Sequence, residues 1–288
     1  MAITKRNAFY AQSGGVTAVI NASAAGVIET ARKYRDRMGR VYAGRNGIIG
    51  ALTEDPIDTA RESASAIAAL RYTPAGAFGS CRYKLKGLEE SRAQYERLIE
   101  VFRAHDIGYF FYNGGNDSAD TCLKVSQIAE KLGYPLQAIH VPKTVDNDLA
   151  VTDNCPGFGS VAKYVATSMR EAAFDVASMA KTSTKVFVLE VMGRHAGWIA
   201  LNSGLAAGAH MTLIPEQPFD VEEVCRLIKQ RFQHGNSSFI CVVAEGAKPA
   251  EGSMQLLQGG TDEFGHERFT GVAQQLAVEV QKRINKDV

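Results

Sequence analysis

The sequence predicts an α/β protein in which helices cover both faces of mainly parallel β-sheets. Short apolar runs alternate along the chain with longer amphipathic segments, the pattern of strands joined by crossover helices. Glycine-rich or polar clusters follow most of these runs, and ligands of parallel sheets bind at the carboxyl ends of the strands. The chain has 288 residues, of which 45% are hydrophobic and 22% charged, enough for one large or two medium-sized domains.

The order of the predicted elements follows from this alternation. Apolar runs that end shortly before a glycine, a proline or a charged residue predict strands at 8–12, 40–43, 107–113, 136–141, 185–191, 211–214 and 239–244. Amphipathic spacing predicts helices at 17–34, 88–104, 118–132, 161–179, 196–206, 221–232 and 271–285. A weakly marked change of domain is expected at 156–159.

Charge and cysteine content exclude several classes of function. Lys and Arg number 32 against 31 Asp and Glu, and a net charge of +1 argues against nucleic acid or an anionic membrane as a partner. Neither a signal peptide nor a membrane-spanning run is recognisable, so a cytoplasmic protein is expected. The 5 cysteines have no C-x-x-C spacing, which predicts reduced, mostly buried thiols.

Gly14 and Gly15 follow the first predicted strand and precede an Ala-rich helix. Glycine lets backbone N–H groups approach an anion, and a helix N-terminus adds favourable partial charge. A tight turn also requires glycine for steric reasons, so the phosphate-binding and purely structural interpretations are equally supported here. Walker A and dinucleotide-binding fingerprints are both missing from the sequence.

The Gly-Gly-Asn-Asp-Ser run at 114–118 repeats this arrangement after the strongly apolar run at 107–112. Asn116 and Asp117 supply the hard oxygen ligands that hydrated Mg²⁺ prefers. Alternatively, Asn116 or Ser118 caps the helix that follows, and for Ser118 capping is the favoured interpretation.

The Pro-Lys-Thr-Val-Asp-Asn-Asp run at 142–148 places two carboxylates and a lysine directly after a predicted strand. An ionised Asp146 can accept a hydroxyl proton, and Lys143 can neutralise charge on a transferring phosphoryl group. An Asx-rich turn, in which the side chains bond to local backbone, accounts for the same residues with equal weight.

Two further clusters end strands in the second half of the chain. Arg194, after Met192 and Gly193, is suited to binding a sugar phosphate, whereas a capping or packing role is favoured for His195. Glu245 can accept hydrogen bonds from substrate hydroxyls or remain a solvated charge at a strand end.

Together these motifs closely resemble those of the phosphofructokinase family over essentially the whole chain. The matching elements are Ser13-Gly14-Gly15 with Asn21, Gly79-Ser80-Cys81-Arg82, the runs at 114–118, 142–148, 157–159 and 190–194, Pro215-Glu216 and Ala244-Glu245-Gly246. The resemblance implies two similar three-layer, Rossmann-like domains with the active site in the cleft between them. Residues 1–157 are expected to bind the phosphoryl donor with Mg²⁺, and residues 158–288 to bind fructose 6-phosphate.

The resemblance also implies individual roles. Asp146 is expected to accept the proton of the sugar 1-hydroxyl, and the substrate-binding set is Thr144, Val145, Asp148, Lys185, Met192, Gly193, Arg194 and Glu245. The expected contacts of the donor are Gly14, Gly15, Arg82 and Gly115, and Asn116 stands at the family's magnesium position. Because Lys185 matches a residue that reaches the sugar phosphate of a neighbouring subunit, a homodimer or homotetramer with shared active sites is expected.

Asp117 and Lys143 distinguish the two possible donors. ATP-using members resemble one another in having glycine at both positions, whereas pyrophosphate-using members are similar to this chain there. The Gly15-Val16-Thr17-Ala18 turn also resembles that of the pyrophosphate-using members. A carboxylate at Asp117 fills and charges the space of a nucleotide α-phosphate, and Lys143 attracts the smaller anion and stabilises the transferring group. The implied reaction is reversible phosphoryl transfer from pyrophosphate to fructose 6-phosphate, giving fructose 1,6-bisphosphate.

Two departures from the family pattern keep other functions open. Asn116 replaces the usual Asp, so it contacts the metal either directly or through water. The family's Gln-Arg motif, which binds the 6-phosphate, is expected just beyond Val288, so the chain is expected to lack a C-terminal segment, either as a fragment or as an interrupted gene product. The alternatives are an ATP-dependent phosphofructokinase, a non-catalytic regulatory subunit and, without its glycine fingerprint, a nicotinamide-dependent oxidoreductase.

Overall fold

Two compact units make up the chain, and they meet in sequence between Thr144 and Val145, earlier than the expected boundary between Gly157 and Phe158. The computed structural model describes residues 5–17, 19–83, 85–182, 185–257, 260 and 271–284. Within those ranges, no helix combines the length and apolarity needed to span a bilayer.

The first unit is built on a sheet of 6 strands. Its strands are β1 (Arg6–Ser13), β2 (Met38–Gly44), β3 (Pro56–Asp58), β4 (Ser80–Cys81), β5 (Ile107–Gly114) and β6 (Gln137–Pro142). The strand order is β3-β2-β1-β5-β6, and β4 also pairs with β1. All of these pairings are parallel except that of β3 with β2.

Helices cover both faces of this sheet, so the first unit has three layers. The helices are α1 (Ile20–Lys33), α2 (Ile48–Leu52), α3 (Ala64–Ala69), α4 (Arg92–Ala104) and α5 (Asn116–Lys131). Side chains alternate across a strand, and accordingly Phe9 of β1 packs in a core with α2, α4 and α5, whereas Tyr10 packs with α1 and α3.

The second unit repeats this three-layer arrangement on a smaller sheet. Its elements are α6 (Phe158–Met179), β7 (Val186–Val191), α7 (Trp198–Ala207), β8 (Met211–Leu213), α8 (Val221–Gln233), β9 (Phe239–Ala244) and α9 (Val272–Ile284). The three strands are parallel in the order β7-β9-β8. Cys241 of β9 packs with α8 and α9, and its neighbour Val242 packs with α6 and α7.

The α/β class and the mainly parallel sheets predicted from sequence are therefore confirmed. Each predicted strand and helix is present, with ends that differ by a few residues. The prediction omitted the short elements β3, β4, α2 and α3. It also began α5 at Ser118, whereas the helix starts at Asn116. The cysteines are free thiols, four of them buried, as expected.

Candidate active site

Four strand ends lie side by side in the first unit and bring together motifs that are distant in sequence. Gln12 of β1 pairs with Ser80 of β4 on one side and with Asn113 of β5 on the other. Gly114, which ends β5, pairs with Pro142 of β6. The turns that follow these strands carry Gly14, Arg82, Gly115 and Lys143, so they share one edge of the sheet.

The Gly14–Gly15 turn is held by β4. The backbone N–H of Gly14 donates to the carbonyl of Cys81 (2.9 Å), and the Ser80 hydroxyl donates to the carbonyl of Gly14 (2.7 Å). Gly14 has a φ of 76°, a left-handed conformation that glycine adopts without strain. The turn therefore has a backbone fixed by hydrogen bonds to β4, and its two glycines carry no side chains of their own.

Two cationic groups stand over this turn. A Cβ atom added to Gly14 would lie 3.5 Å from Lys143 Nζ, and one added to Gly15 would lie 3.4 Å from Arg82 Nη2. Lys143 is buried, with 7% of its surface exposed, whereas Arg82 is exposed. Positive charge close to a glycine turn makes this edge suited to a compact polyanion.

The turn after β5 is held by hydrogen bonds to residues on both neighbouring strands or directly after them. Ser118 Oγ donates to Ser13 Oγ of β1 (2.8 Å). On the other side, His140 Nε2 of β6 (2.9 Å) and the N–H of Lys143 (3.0 Å), which directly follows β6, donate to the Gly114 carbonyl. A side chain at Gly114 would overlap the Ser118 hydroxyl, so this position requires glycine.

Helix α5 therefore starts differently from the sequence expectation. Its N-cap is Gly115, and the prediction that Ser118 caps it is wrong, because the Ser118 hydroxyl bonds to Ser13 instead. Asn116 and Asp117 form the first turn of the helix and are exposed. Their oxygens lie at a helix N-terminus, next to the Gly115 turn.

In the second unit, the segment that carries Asp146 and Asp148 is fixed by the asparagine between them. Asn147 is buried and has a φ of 56°. Its side-chain oxygen accepts from the Cys155 N–H (2.7 Å), and its amide donates to the Asp153 carbonyl (3.0 Å). These bonds close the loop and hold the half-buried carboxylates on either side of Asn147. The sequence analysis gave an Asx-rich turn as one interpretation of this run, but it did not identify Asn147 as the residue that closes the loop.

The turns after β7 and β9 interlock. The Glu245 N–H donates to the Val191 carbonyl (2.9 Å), and the Gly246 N–H donates to the Gly193 carbonyl (3.0 Å). The Gly193 N–H in turn donates to the Glu245 carboxylate (3.4 Å). A side chain at Gly246 would overlap the backbone of Arg194, so glycine is required for this close approach. Met192, Gly193, Arg194 and Glu245 are thus brought together, as expected.

His195 and Lys185 are not brought into this cluster. His195 is exposed, and α7 is capped by Gly197, so the favoured capping or packing role of His195 is wrong. Lys185 is exposed and directly precedes β7, at the opposite end of the strand from Met192. Its Nζ lies 5.9 Å from the centre of the Phe232 ring.

Comparison with known proteins places this geometry in a family. A protein-family model described as phosphofructokinase matches residues 7–288. The chain belongs to the phosphofructokinase family. It is 69% identical over 285 residues to a pyrophosphate–fructose 6-phosphate 1-phosphotransferase of Methylococcus capsulatus, covering 97% of this chain and 67% of that protein. The chain thus spans about two thirds of the length of this relative.

Two other relatives of this phosphofructokinase bear on its donor. The crystal structure of a pyrophosphate-dependent phosphofructokinase from Nitrosospira multiformis is 60% identical, with a TM-score of 0.84, over 97% of this chain and 67% of that chain. An ATP-dependent 6-phosphofructokinase of Mycobacterium bovis is 67% identical over 200 residues, which cover 69% of this chain and 55% of that protein. Proteins named for pyrophosphate and a protein named for ATP are therefore both similar to this chain, and family membership alone does not distinguish the two phosphoryl donors.

Enzymes of this family generally use a divalent metal ion. In the part of the chain that the structure describes, no three His, Cys, Asp or Glu side chains are placed to hold a metal by themselves. Asn116 and Asp117 nevertheless offer an amide and a carboxylate oxygen on one exposed helical turn. That donor set fits Mg²⁺, which binds through one or two protein oxygens and takes its other ligands from water and phosphate.

Proposed function

We propose that this phosphofructokinase catalyses reversible phosphoryl transfer from inorganic pyrophosphate to the 1-hydroxyl of fructose 6-phosphate, giving fructose 1,6-bisphosphate in glycolysis and gluconeogenesis. The observation that carries the proposal is the approach of Lys143 Nζ and Arg82 Nη2 to the Gly14–Gly15 turn. Two cations over an open glycine turn suit a small, highly charged anion. The names of the Methylococcus and Nitrosospira relatives support the same donor.

We assign pyrophosphate binding to the first unit, through Gly14, Gly15, Arg82, Gly115 and Lys143. Lys143 is buried, so its charge is little screened by water and acts strongly on the transferring phosphoryl group. The Asp117 carboxylate repels the α-phosphate of a nucleotide and so selects against ATP.

We assign sugar binding to the second unit and proton transfer to Asp146, with Thr144, Val145 and Asp148 beside it in the chain. The carboxylate of Asp146 takes the proton of the sugar 1-hydroxyl as that oxygen attacks phosphorus. Met192, Gly193, Arg194 and Glu245 bind fructose 6-phosphate, and the interlocked turns after β7 and β9 keep these groups in place before substrate arrives.

Mg²⁺ is the proposed metal ion, held at Asn116 with Asp117 next to it. When bound, it neutralises charge on pyrophosphate oxygens. The remaining proposals are a cytoplasmic location, supported by the reduced thiols, and a homodimer or homotetramer in which Lys185 completes a neighbour's sugar site.

Donor competition tests the proposal directly. The purified enzyme, with Mg²⁺ and fructose 6-phosphate, is assayed with pyrophosphate and with ATP, and fructose 1,6-bisphosphate is quantified. We expect turnover with pyrophosphate and little or none with ATP. Strong turnover with ATP alone would instead support the ATP-dependent alternative represented by the Mycobacterium bovis relative. No turnover with either donor would support a non-catalytic subunit.

A further inference from the structure

A histidine beneath the donor site is not explained by the roles assigned above. His140 lies on β6, opposite Tyr112 of β5, in a strand that is otherwise mostly apolar. Its Nε2 lies 2.9 Å from the Gly114 carbonyl oxygen. A carbonyl oxygen can only accept, so Nε2 carries the hydrogen and the imidazole is the donor. Burial lowers the pKa of His140, which favours the neutral ring.

The same carbonyl accepts a second hydrogen bond, from the backbone N–H of Lys143 (3.0 Å). Two donors, one in β6 and one directly after it, therefore fix the direction of the Gly114 carbonyl. The peptide unit is planar and trans, so its N–H, which belongs to Gly115, is directed opposite to the carbonyl. Fixing the Gly114 oxygen thereby fixes the Gly115 N–H, at the N-terminus of α5.

Gly115 needs such a restraint more than other residues. It has no side chain to limit its conformation, and it is the N-cap of α5 without a side-chain cap bond. N–H groups at a helix N-terminus lack intrahelical partners and are the ones that bind anions. If the Gly114–Gly115 peptide were unrestrained, the entropy lost in ordering this turn would offset part of the free energy of anion binding.

We propose that His140 is a positioning residue for the phosphoryl donor. Its imidazole orients the Gly114–Gly115 peptide so that the Gly115 N–H is preset for pyrophosphate. This inference rests on the proposed function, since it takes pyrophosphate as the ligand of the turn. His140 acts through the backbone and touches neither substrate.

Calorimetric titration with pyrophosphate and Mg²⁺, in the absence of fructose 6-phosphate, tests the proposal on the purified protein. H140L and H140F remove the donor and place an aliphatic or an aromatic side chain there, and H140Q keeps an N–H donor. We expect about three- to tenfold weaker pyrophosphate binding in H140L and H140F, the effect of one hydrogen bond, and affinity within about twofold of wild type in H140Q. Steady-state kinetics should show the same rise in KM for pyrophosphate with an unchanged KM for fructose 6-phosphate.

H105L is the matched control. His105 ends α4, two residues before β5 and at the opposite end of that strand from Gly114, and its Nε2 bonds to Glu54 (3.0 Å). A loss of this side chain therefore reports only general destabilisation. Its pyrophosphate affinity should equal that of wild type even if its Tm falls. The proposal is overturned if H140L or H140F binds pyrophosphate like wild type, if H140Q is as weak as both, or if H105L weakens binding equally. An absence of pyrophosphate binding by the wild type would instead contradict the proposed function.

Discussion

Asp146 is the residue on which the proposed chemistry depends. We expect Asp146→Asn to lower kcat by roughly two to four orders of magnitude, because an amide of the same shape cannot take up the hydroxyl proton. The measurement is steady-state turnover with pyrophosphate and fructose 6-phosphate. Asp153→Asn, an exposed change in the loop closed by Asn147, should leave turnover intact. Near-normal turnover in Asp146→Asn would remove it from the mechanism.

In the proposed function, two side chains determine the choice of donor. In the double variant Asp117→Gly with Lys143→Gly, we expect measurable ATP-dependent turnover and a loss of pyrophosphate-dependent turnover. The change removes the carboxylate that crowds a nucleotide and the cation that attracts the smaller anion. The readout is kcat/KM for each donor, compared with the two single variants. If the double variant gains no ATP turnover, the exclusion role of Asp117 is contradicted.

At the scale of elements, we expect the Gly14 turn to be the most sensitive part of the proposed donor site. We expect Gly14→Ala to weaken pyrophosphate binding at least tenfold, because a side chain at a φ of 76° is strained and its methyl group would occupy space next to Lys143 Nζ that the anion needs. Calorimetric titration measures the change. Gly26→Ala, in α1 with no atom within 4 Å of the added Cβ, is the control and should bind normally. Unchanged affinity in Gly14→Ala would exclude close approach of the anion to this turn.

Whether an element could be predicted from the sequence depended on its length. The long strands and helices were predictable because their hydrophobic periodicity spans many residues, and the motif runs at 114–118 and 142–148 marked their ends. Strand β4 has only 2 residues and therefore no periodicity. Its pairing with β1, which carries Arg82 to Gly15, is a long-range contact that local pattern does not encode.

The same limit applies to side chains whose partners are distant in sequence. The bond from Ser118 to Ser13 was not predictable, because local sequence alone favours Ser118 as a helix cap. The role of His140 was missed for a similar reason, since its partner, Gly114, lies on a different strand. The one available signal was a histidine in an apolar run shortly before Pro142.

At the scale of the whole molecule, Lys185 raises the question of shared sites. It lies at the opposite end of β7 from Met192, Gly193 and Arg194, to which we assign sugar binding in its own chain. We expect Lys185→Ala and Asp146→Asn, each strongly impaired alone, to regain about a quarter of wild-type turnover when co-expressed, the statistical yield for sites shared across a twofold dimer. Turnover no higher than the average of the two variants would contradict sharing.

Arg82 directly follows β4, and the shortness of that strand should make this segment open more easily than the rest of the sheet. Strand β4 is joined to the sheet through 2 residues paired with β1, whereas β5 joins β1 along most of its length. Transient local opening should therefore detach β4 at a much lower free energy than the central strands, and its amides should exchange with deuterium sooner. Pyrophosphate bound to the Arg82 guanidinium should suppress this opening, and the suppression should grow with the pyrophosphate concentration. The protection of the β4 amides against exchange would then report how much of the enzyme has bound the donor.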